Sequence, residues 1–278
     1  MARLEINNLK YRYPYTDRLA LDGITCTIEP GEFIGVIGKN GSGKSTFTQA
    51  LIGLVPNFYR GAYGGSVKVD GVNVNDVETD DLCQKIGLVF QNPFNQVSGS
   101  KNTVYEEIAF GLENLGIPRD EMHKRIKDAM KLLDIERFTD REPFALSGGQ
   151  MQRMAIASII AMDPEVIILD EPTSQLDPQG SEEVFQAVQN LSQRGITVIM
   201  VEHKMEKIAA YSDRVMLLDD GKLIDFDTPQ KVFSRDDLAE HGVQAPAFAR
   251  IGKGLGVRHP KTKQYPVTLE EAKEALTK

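Results

Sequence analysis

The segment Gly38-Lys39-Asn40-Gly41-Ser42-Gly43-Lys44-Ser45 follows the pattern G-x-x-x-x-G-K-[ST], and the chemistry of that spacing is the capture of phosphate groups. Its three glycines let the backbone turn its N–H groups inward around α- and β-phosphates with no Cβ atom in the way. The Lys44 ammonium is then placed to reach the β- and γ-phosphates, and the Ser45 hydroxyl to ligate Mg²⁺. The contacting set on this stretch is Gly38, Asn40, Gly41, Ser42, Gly43, Lys44, Ser45 and Thr46. Both flanks have the character the chemistry needs. Phe33-Ile34-Gly35-Val36-Ile37 is an unbroken apolar run, as in a strand buried on both faces. A helix is expected from Ser45 through Leu51, and its positive N-terminal end adds to the attraction for phosphate. A glycine-rich turn that matched by accident would not carry both flanks.

A phosphate-bound metal needs an acidic partner. Val166-Ile167-Ile168-Leu169-Asp170-Glu171 supplies one, with Asp170 at the carboxyl end of an apolar strand, where ligands bind in open α/β sheets. Asp170 is expected to hold Mg²⁺ through water. Glu171 is expected to polarise the attacking water as a general base. A lone Asp-Glu pair is ordinarily a solvated turn; the strand before it and the phosphate loop upstream reverse that reading.

The elements that must position these groups can be read from periodicity. Val67 and Val69, the turn Asp70-Gly71, and Val72 and Val74 spell a hairpin. From Thr103 to Leu133 the period becomes helical: Val104, Ile108, Leu112 and Leu115 share one face, and Met122, Ile126, Ala129 and Leu133 another. Buried-strand signals return at 166–169 and 197–201, and Val184, Ala187, Val188 and Leu191 form the stripe of a helix between them. Strand, helix, strand implies a parallel sheet with a right-handed crossover. A hairpin from Arg214 to Asp225 turns at Asp219-Asp220-Gly221. Beyond about Asp236 the pattern weakens until a short helix from Leu269 to Leu276.

The chain has 278 residues, 41% of them hydrophobic and 26% charged, with a net charge of -8. That balance suits a globular protein with a full core and argues against a general nucleic-acid binder, which needs a basic footprint. Cys26 and Cys83 form no C-x-x-C pair and read as reduced thiols of a cytosolic protein. The first residues lack a signal-peptide core, and no apolar run approaches the ~20 residues that span a bilayer. Any membrane-spanning parts are expected on other chains.

Leu146-Ser147-Gly148-Gly149-Gln150 resembles the signature motif of the ABC (ATP-binding cassette) ATPases. On physical grounds Ser147 can cap a helix beginning near Gly149 and so make an anion site. The resemblance implies that Ser147, Gly148 and Gly149 meet ATP held by an opposite cassette, with two ATPs sandwiched in a head-to-tail dimer. Other motifs fall in the family's order. Gln91 looks like the Q-loop glutamine that senses Mg²⁺ and water. Ser174-Gln175-Leu176-Asp177 looks like the D-loop, with Gln175 in place of the usual small residue and Asp177 matching. His203 looks like the switch histidine at the γ-phosphate, whereas His123, His241 and His259 read as structural. Tyr13 aligns with the adenine-stacking aromatic, with Tyr11 as the local rival. The fold implied is α/β: a P-loop NTPase (RecA-like) core with an N-terminal antiparallel β subdomain, an inserted α-helical subdomain and a short C-terminal helical appendage. The ATPase domain is expected over 1–235, with the helical insertion at about 95–160, and the appendage over 236–278.

The run Phe90-Gln91-Asn92-Pro93-Phe94-Asn95-Gln96, Thr103-Val104 and Ala109-Phe110-Gly111-Leu112-Glu113-Asn114 is similar to the cassettes of energy-coupling factor (ECF) importers, which are related to cobalt-transport ATPases. Phe94 departs from the acidic residue common there, and Asn57-Phe58-Tyr59-Arg60-Gly61 resembles a subset associated with thiamine-related transporters. The resemblance implies an Mg-dependent ATP hydrolase at the cytoplasmic face of the cell membrane, powering uptake of a vitamin or transition-metal ion. Its partners would be a second ATPase subunit in a homo- or heterodimer, a transmembrane coupling protein and a membrane-embedded substrate-binding protein, with no nucleic acid. Another ABC transporter class, or a soluble ABC ATPase, is the alternative; the latter usually carries a long coiled-coil arm or two cassettes, and neither is visible. The tail's Lys253, Arg258, Lys261 and Lys263 read as a solvated basic segment or a candidate dimer or membrane-partner contact.

Overall fold

The structure is a computed structural model that describes residues 2–277. The chain forms two compact units, one from Val77–Met200 with Ala2, the other from Arg3–Asp76 and the residues from Val201 onward.

In the unit made from the two ends of the chain, an antiparallel sheet has the order Leu21–Ile28, Leu4–Arg12, Ala62–Val69, Val72–Asn73. Along Leu4–Arg12 the buried residues are Leu4, Ile6, Leu9 and Tyr11, so the two-residue alternation slips by one. The slip is a β-bulge: the register shifts between Ile6 and Leu9, and Asn8 has φ 46°. The Asp70-Gly71 turn has φ 51° and 81°, the sign pattern of a two-residue hairpin loop, and Val69 pairs with Val72. Its returning arm is shorter than the valine alternation suggested. Only Val72–Asn73 pair, and Val74 turns inward at the start of a 3₁₀ turn, Val74–Asp76. The Asn73 side chain accepts the Asn75 N–H at 3.2 Å, a local bond that competes with the ladder.

The strand Phe33–Ile37 is buried at every residue and pairs in parallel with Arg214–Asp219. Arg214–Asp219 pairs antiparallel with Lys222–Asp227 across a second two-residue turn, Asp220 and Gly221 at φ 46° and 78°. Ile37, Val215 and Leu217 pack with Ile208, Val232 and Phe233, and the C-terminal segment adds Leu238, Val243, Ala249 and Val267 to the same cluster. That segment holds two helices, Ala247–Leu255 and the expected Leu269–Leu276. Gly252 and Gly254 hid the first. Gly252 is there for packing, since a Cβ on it would lie 2.7 Å from Pro266. Lys253 pairs with Asp236 at 2.5 Å, and the Arg258 guanidinium lies 4.2 Å from the Tyr265 ring centre.

In the other unit, Ile86–Val89 pairs in parallel with Val166–Asp170, whose other neighbour is Thr197–Val201, the strand at which the chain leaves this unit. The crossover helix Pro178–Gln193 buries Val184, Phe185, Ala187, Val188 and Leu191. Three helices, Val104–Asn114, Arg119–Leu132 and Gly148–Ala161, form the helical block. Val104, Ile108 and Leu112 are buried on the first, and Ile126, Ala129 and Met130 on the second. Thr103 starts the first with a capping box to Glu106. Neither cysteine is in a disulfide, and burial pushes the Cys26 thiol up to about 12, so it stays protonated and inert. Among the described residues no helix is long and apolar enough to cross a membrane.

Candidate nucleotide site

The phosphate loop joins the strand Phe33–Ile37 to the helix Lys44–Leu51. Two of its glycines are required by close approach: at Gly38 (φ 150°) a Cβ would lie 2.1 Å from the Leu218 carbonyl, and at Gly43 (φ 105°) 2.5 Å from that of Ala20. Gly43 is the N-cap of the helix, and no side chain caps it or places an acid in its first turn. An uncapped helix start offers its first N–H groups, with the positive end of the dipole, to an anionic ligand. The Lys44 side chain is buried and curls back to donate to the carbonyls of Gly38 at 2.8 Å and Lys39 at 3.0 Å. Its ammonium is thereby held inside the loop's own ring of backbone.

Tyr11 and Tyr13 have different occupations. Tyr11 is fully buried and donates to the Tyr59 carbonyl at 2.7 Å, which removes it from ligand contact. Tyr13 is part-exposed, and its hydroxyl lies 3.1 Å from Thr46 Oγ1 and donates to Gln49 Oε1 at 3.3 Å, so it stands on the helix that follows the phosphate loop. His203 and Gly38 line one cavity of about 260 Å³, together with Glu206, Gly242, Gln244 and Arg250. The backbone entering His203 is fixed by the buried carboxylate of Glu202, which accepts the His203 N–H at 2.9 Å.

In the other unit, Asp170, a residue only 8% exposed, ends its buried strand. Glu171 follows at φ 50°, a left-handed conformation that costs a non-glycine residue about 1 kcal/mol or more. Its side chain accepts a hydrogen bond from Gln91 Nε2 at 2.6 Å, so two groups 80 residues apart in sequence are brought together. The strained turn had no signal in the sequence, since glutamate does not advertise a positive φ.

Ser147 caps the helix Gly148–Ala161, one residue earlier than expected, in a capping box with Gln150. Ser147, Gly148, Gly149, Gln175 and Asp177 line a cavity of about 410 Å³. Gln175 packs directly on the signature glycines: a Cβ on Gly148 would lie 2.5 Å from Gln175 Oε1. Asp177 caps Pro178–Gln193 by accepting the Gly180 N–H at 2.7 Å. Pro178 opens the same helix, a position where its missing N–H costs nothing. Sequence reasoning missed the turn that braces the phosphate loop. Gly221 N–H donates to the Ser42 carbonyl at 2.9 Å, and Lys39 Nζ pairs with Asp219 at 2.8 Å and Asp220 at 3.2 Å.

Hydroxyl and carboxylate donors such as Ser45 and Asp170 are hard oxygen ligands of the kind Mg²⁺ prefers. Glu171 is suited to accept a proton from water, and the uncapped helix to hold phosphate. The chain is also similar to known proteins. The family model described as ABC transporter matches residues 21–174, over half the chain. The energy-coupling factor transporter ATP-binding protein EcfA1 of Latilactobacillus sakei is 44% identical over 91% of this chain and 88% of its own length. EcfA2 of Clostridium perfringens is 40% identical over 98% and 96% respectively. Among solved structures, cbiO1 of Clostridium perfringens, part of the ABC transporter complex cbiONQ, superposes with TM-score 0.74 at 32% identity, covering 91% of this chain and 98% of that one. A dimeric ATP-binding cassette in a post-hydrolysis state with ADP and phosphate superposes with TM-score 0.71 at 29% identity, over 81% and 98%. With the phosphate loop, the strand-end acids and the signature helix in the family's order, this chain is a member of the ABC transporter family, within its energy-coupling factor ATP-binding proteins.

Proposed function

We propose that the chain is the ATP-hydrolysing subunit of an ECF-type importer, working as one of two cassettes beneath separate membrane subunits. ATP binds with its phosphates on Gly38, Asn40, Gly41, Ser42, Gly43, Lys44, Ser45 and Thr46 and its adenine on Tyr13. Mg²⁺, when bound, would neutralise phosphate charge, and Ser45, Gln91 and Asp170 would be the residues that hold it. Glu171 takes the proton of the attacking water, and His203 contacts the γ-phosphate. Ser147, Gly148, Gly149 and Asp177 serve the nucleotide of the opposite cassette. ATP favours the closed pair over the open pair, and that difference in affinity is what can move the membrane partners. The chain sits at the cytoplasmic face, on a transmembrane coupling protein, while a membrane-embedded protein holds the vitamin or metal-ion cargo that the cassette does not touch.

The observation that most supports this reading is the phosphate loop itself: an uncapped helix start with the Lys44 ammonium folded into it. The test is Glu171→Gln in the assembled cassette pair. ATP turnover should fall by about 10² to 10⁴-fold, the usual worth of a general base, while ATP affinity stays within about threefold and closed dimer accumulates. Near-normal turnover would sink the role of Glu171.

A further inference from the structure

Lys39 lies inside the phosphate loop, where its carbonyl accepts from Ser42 N–H at 3.1 Å and from Lys44 Nζ at 3.0 Å. Its side chain points the other way. Lys39 Nζ meets Asp219 Oδ1 at 2.8 Å, and the second oxygen of the same carboxylate, Oδ2, lies 3.0 Å from His241 Nδ1. The far face of the imidazole approaches Asp237 at 3.6 Å, and Asp237 is itself clamped by Arg235 at 2.6 Å. A row of paired polar and charged groups therefore runs from the phosphate loop into the C-terminal segment. Backbone contact runs beside it: Gly242, at φ 69°, faces Lys39 so closely that a Cβ there would lie 2.8 Å from Lys39 Cβ. Asp219 and His241 are mostly buried, at 13% and 17% side-chain exposure, so the pairing is sheltered from solvent screening.

We propose that Asp219 and His241 are positioning residues for nucleotide capture: they hold Lys39, and through it the phosphate loop, in the shape that receives ATP. A glycine-rich loop loses conformational freedom when it closes around phosphates, and a brace present beforehand removes part of that cost from binding. The C-terminal segment carrying His241 and Gly242 is then a working part of the site. The proposal rests on the reading of Gly38–Ser45 as the ATP loop.

The test is calorimetric titration of the full chain with Mg-ATP, with melting curves alongside. His241→Ala and Lys39→Met should each weaken binding by about fivefold, and the double variant should bind no worse than the weaker single, because both remove one coupled interaction. His241→Asn, whose Nδ2 takes the place of Nδ1, should restore affinity to within about twofold. Additive losses in the double variant, equal losses in His241→Ala and His241→Asn, or unchanged affinity in Lys39→Met would each overturn the proposal. If His241→Ala does not fold, the half-exposed Lys39→Met decides alone. Lys44→Ala separates the two readings. Lost binding there with normal binding in Lys39→Met overturns only the positioning role, whereas an unaltered chain that binds no ATP overturns the site assignment itself.

Discussion

The ring of Tyr13 stands edge-on to that of Tyr11, with centroids 4.8 Å apart, and its hydroxyl is tied to Thr46 and Gln49. The buried inner ring thus braces the part-exposed outer one. Stacking uses the ring face and does not need the hydroxyl. Tyr13→Phe should therefore bind ATP within about threefold of the unaltered chain, while Tyr13→Ala should lose about tenfold, roughly the worth of one aromatic stack; equal affinity in both would refute adenine stacking. Tyr11→Phe should act on stability instead, lowering it by about 1 kcal/mol for the lost buried hydrogen bond. The family resemblance put Tyr13 at the adenine, with Tyr11 two residues away as the rival. Burial withdraws Tyr11, and that burial depends on Tyr59 and Arg60, whose carbonyls take the Tyr11 hydroxyl from nearly fifty residues away.

Two helices begin with the same device. Thr103 and Ser147 both accept the N–H of the third helical residue, and that residue's side chain returns the bond. Removing either hydroxyl should cost about 1 kcal/mol of stability. Their consequences for function should differ, because only the Ser147 helix start opens on the cavity shared with Gly148, Gln175 and Asp177. Thr103→Ala should lower the melting temperature and leave ATP turnover within about twofold, whereas Ser147→Ala should lower both, turnover by about tenfold or more. Equal turnover in the two variants would reduce Ser147 to a plain cap. The Ser147 cap was legible in the sequence, as were the buried strands at 33–37 and 166–169; the cap at Thr103 was not read there. The bulge at Asn8 and the short arm after Asp70-Gly71 were not, because each depends on local backbone bonding that competes with the two-residue period.

At the scale of the whole molecule, the unit that carries the phosphate loop is assembled from the two ends of the chain, and charged side chains gather where its late segments meet. Burial pushes the Asp219 carboxyl up, but hydrogen bonds from His241 and Lys39 outweigh it and hold the group below its ordinary range. The Arg235 guanidinium does the same for Asp237, and the Lys231 ammonium for Asp227. In the folded chain each of these acids gives up its proton more readily than in the unfolded chain. The stabilisation they supply is complete above the usual carboxylate range of about pH 4 and is lost as the pH falls through the lower folded values. The melting temperature should accordingly stay level from neutral pH down to about pH 5 and drop below about pH 4. Asp219→Asn isolates one contributor. It should melt lower than the unaltered chain at pH 7, because an amide cannot pair with Lys39 as a carboxylate does. The two melting curves should then converge as the pH falls through the lowered folded value of Asp219 and its carboxylate takes up a proton. A gap that persists down to the acid unfolding of both chains would mean that Asp219 contributes by shape rather than charge, and the row of polar groups from Lys39 to Asp237 would lose its central member.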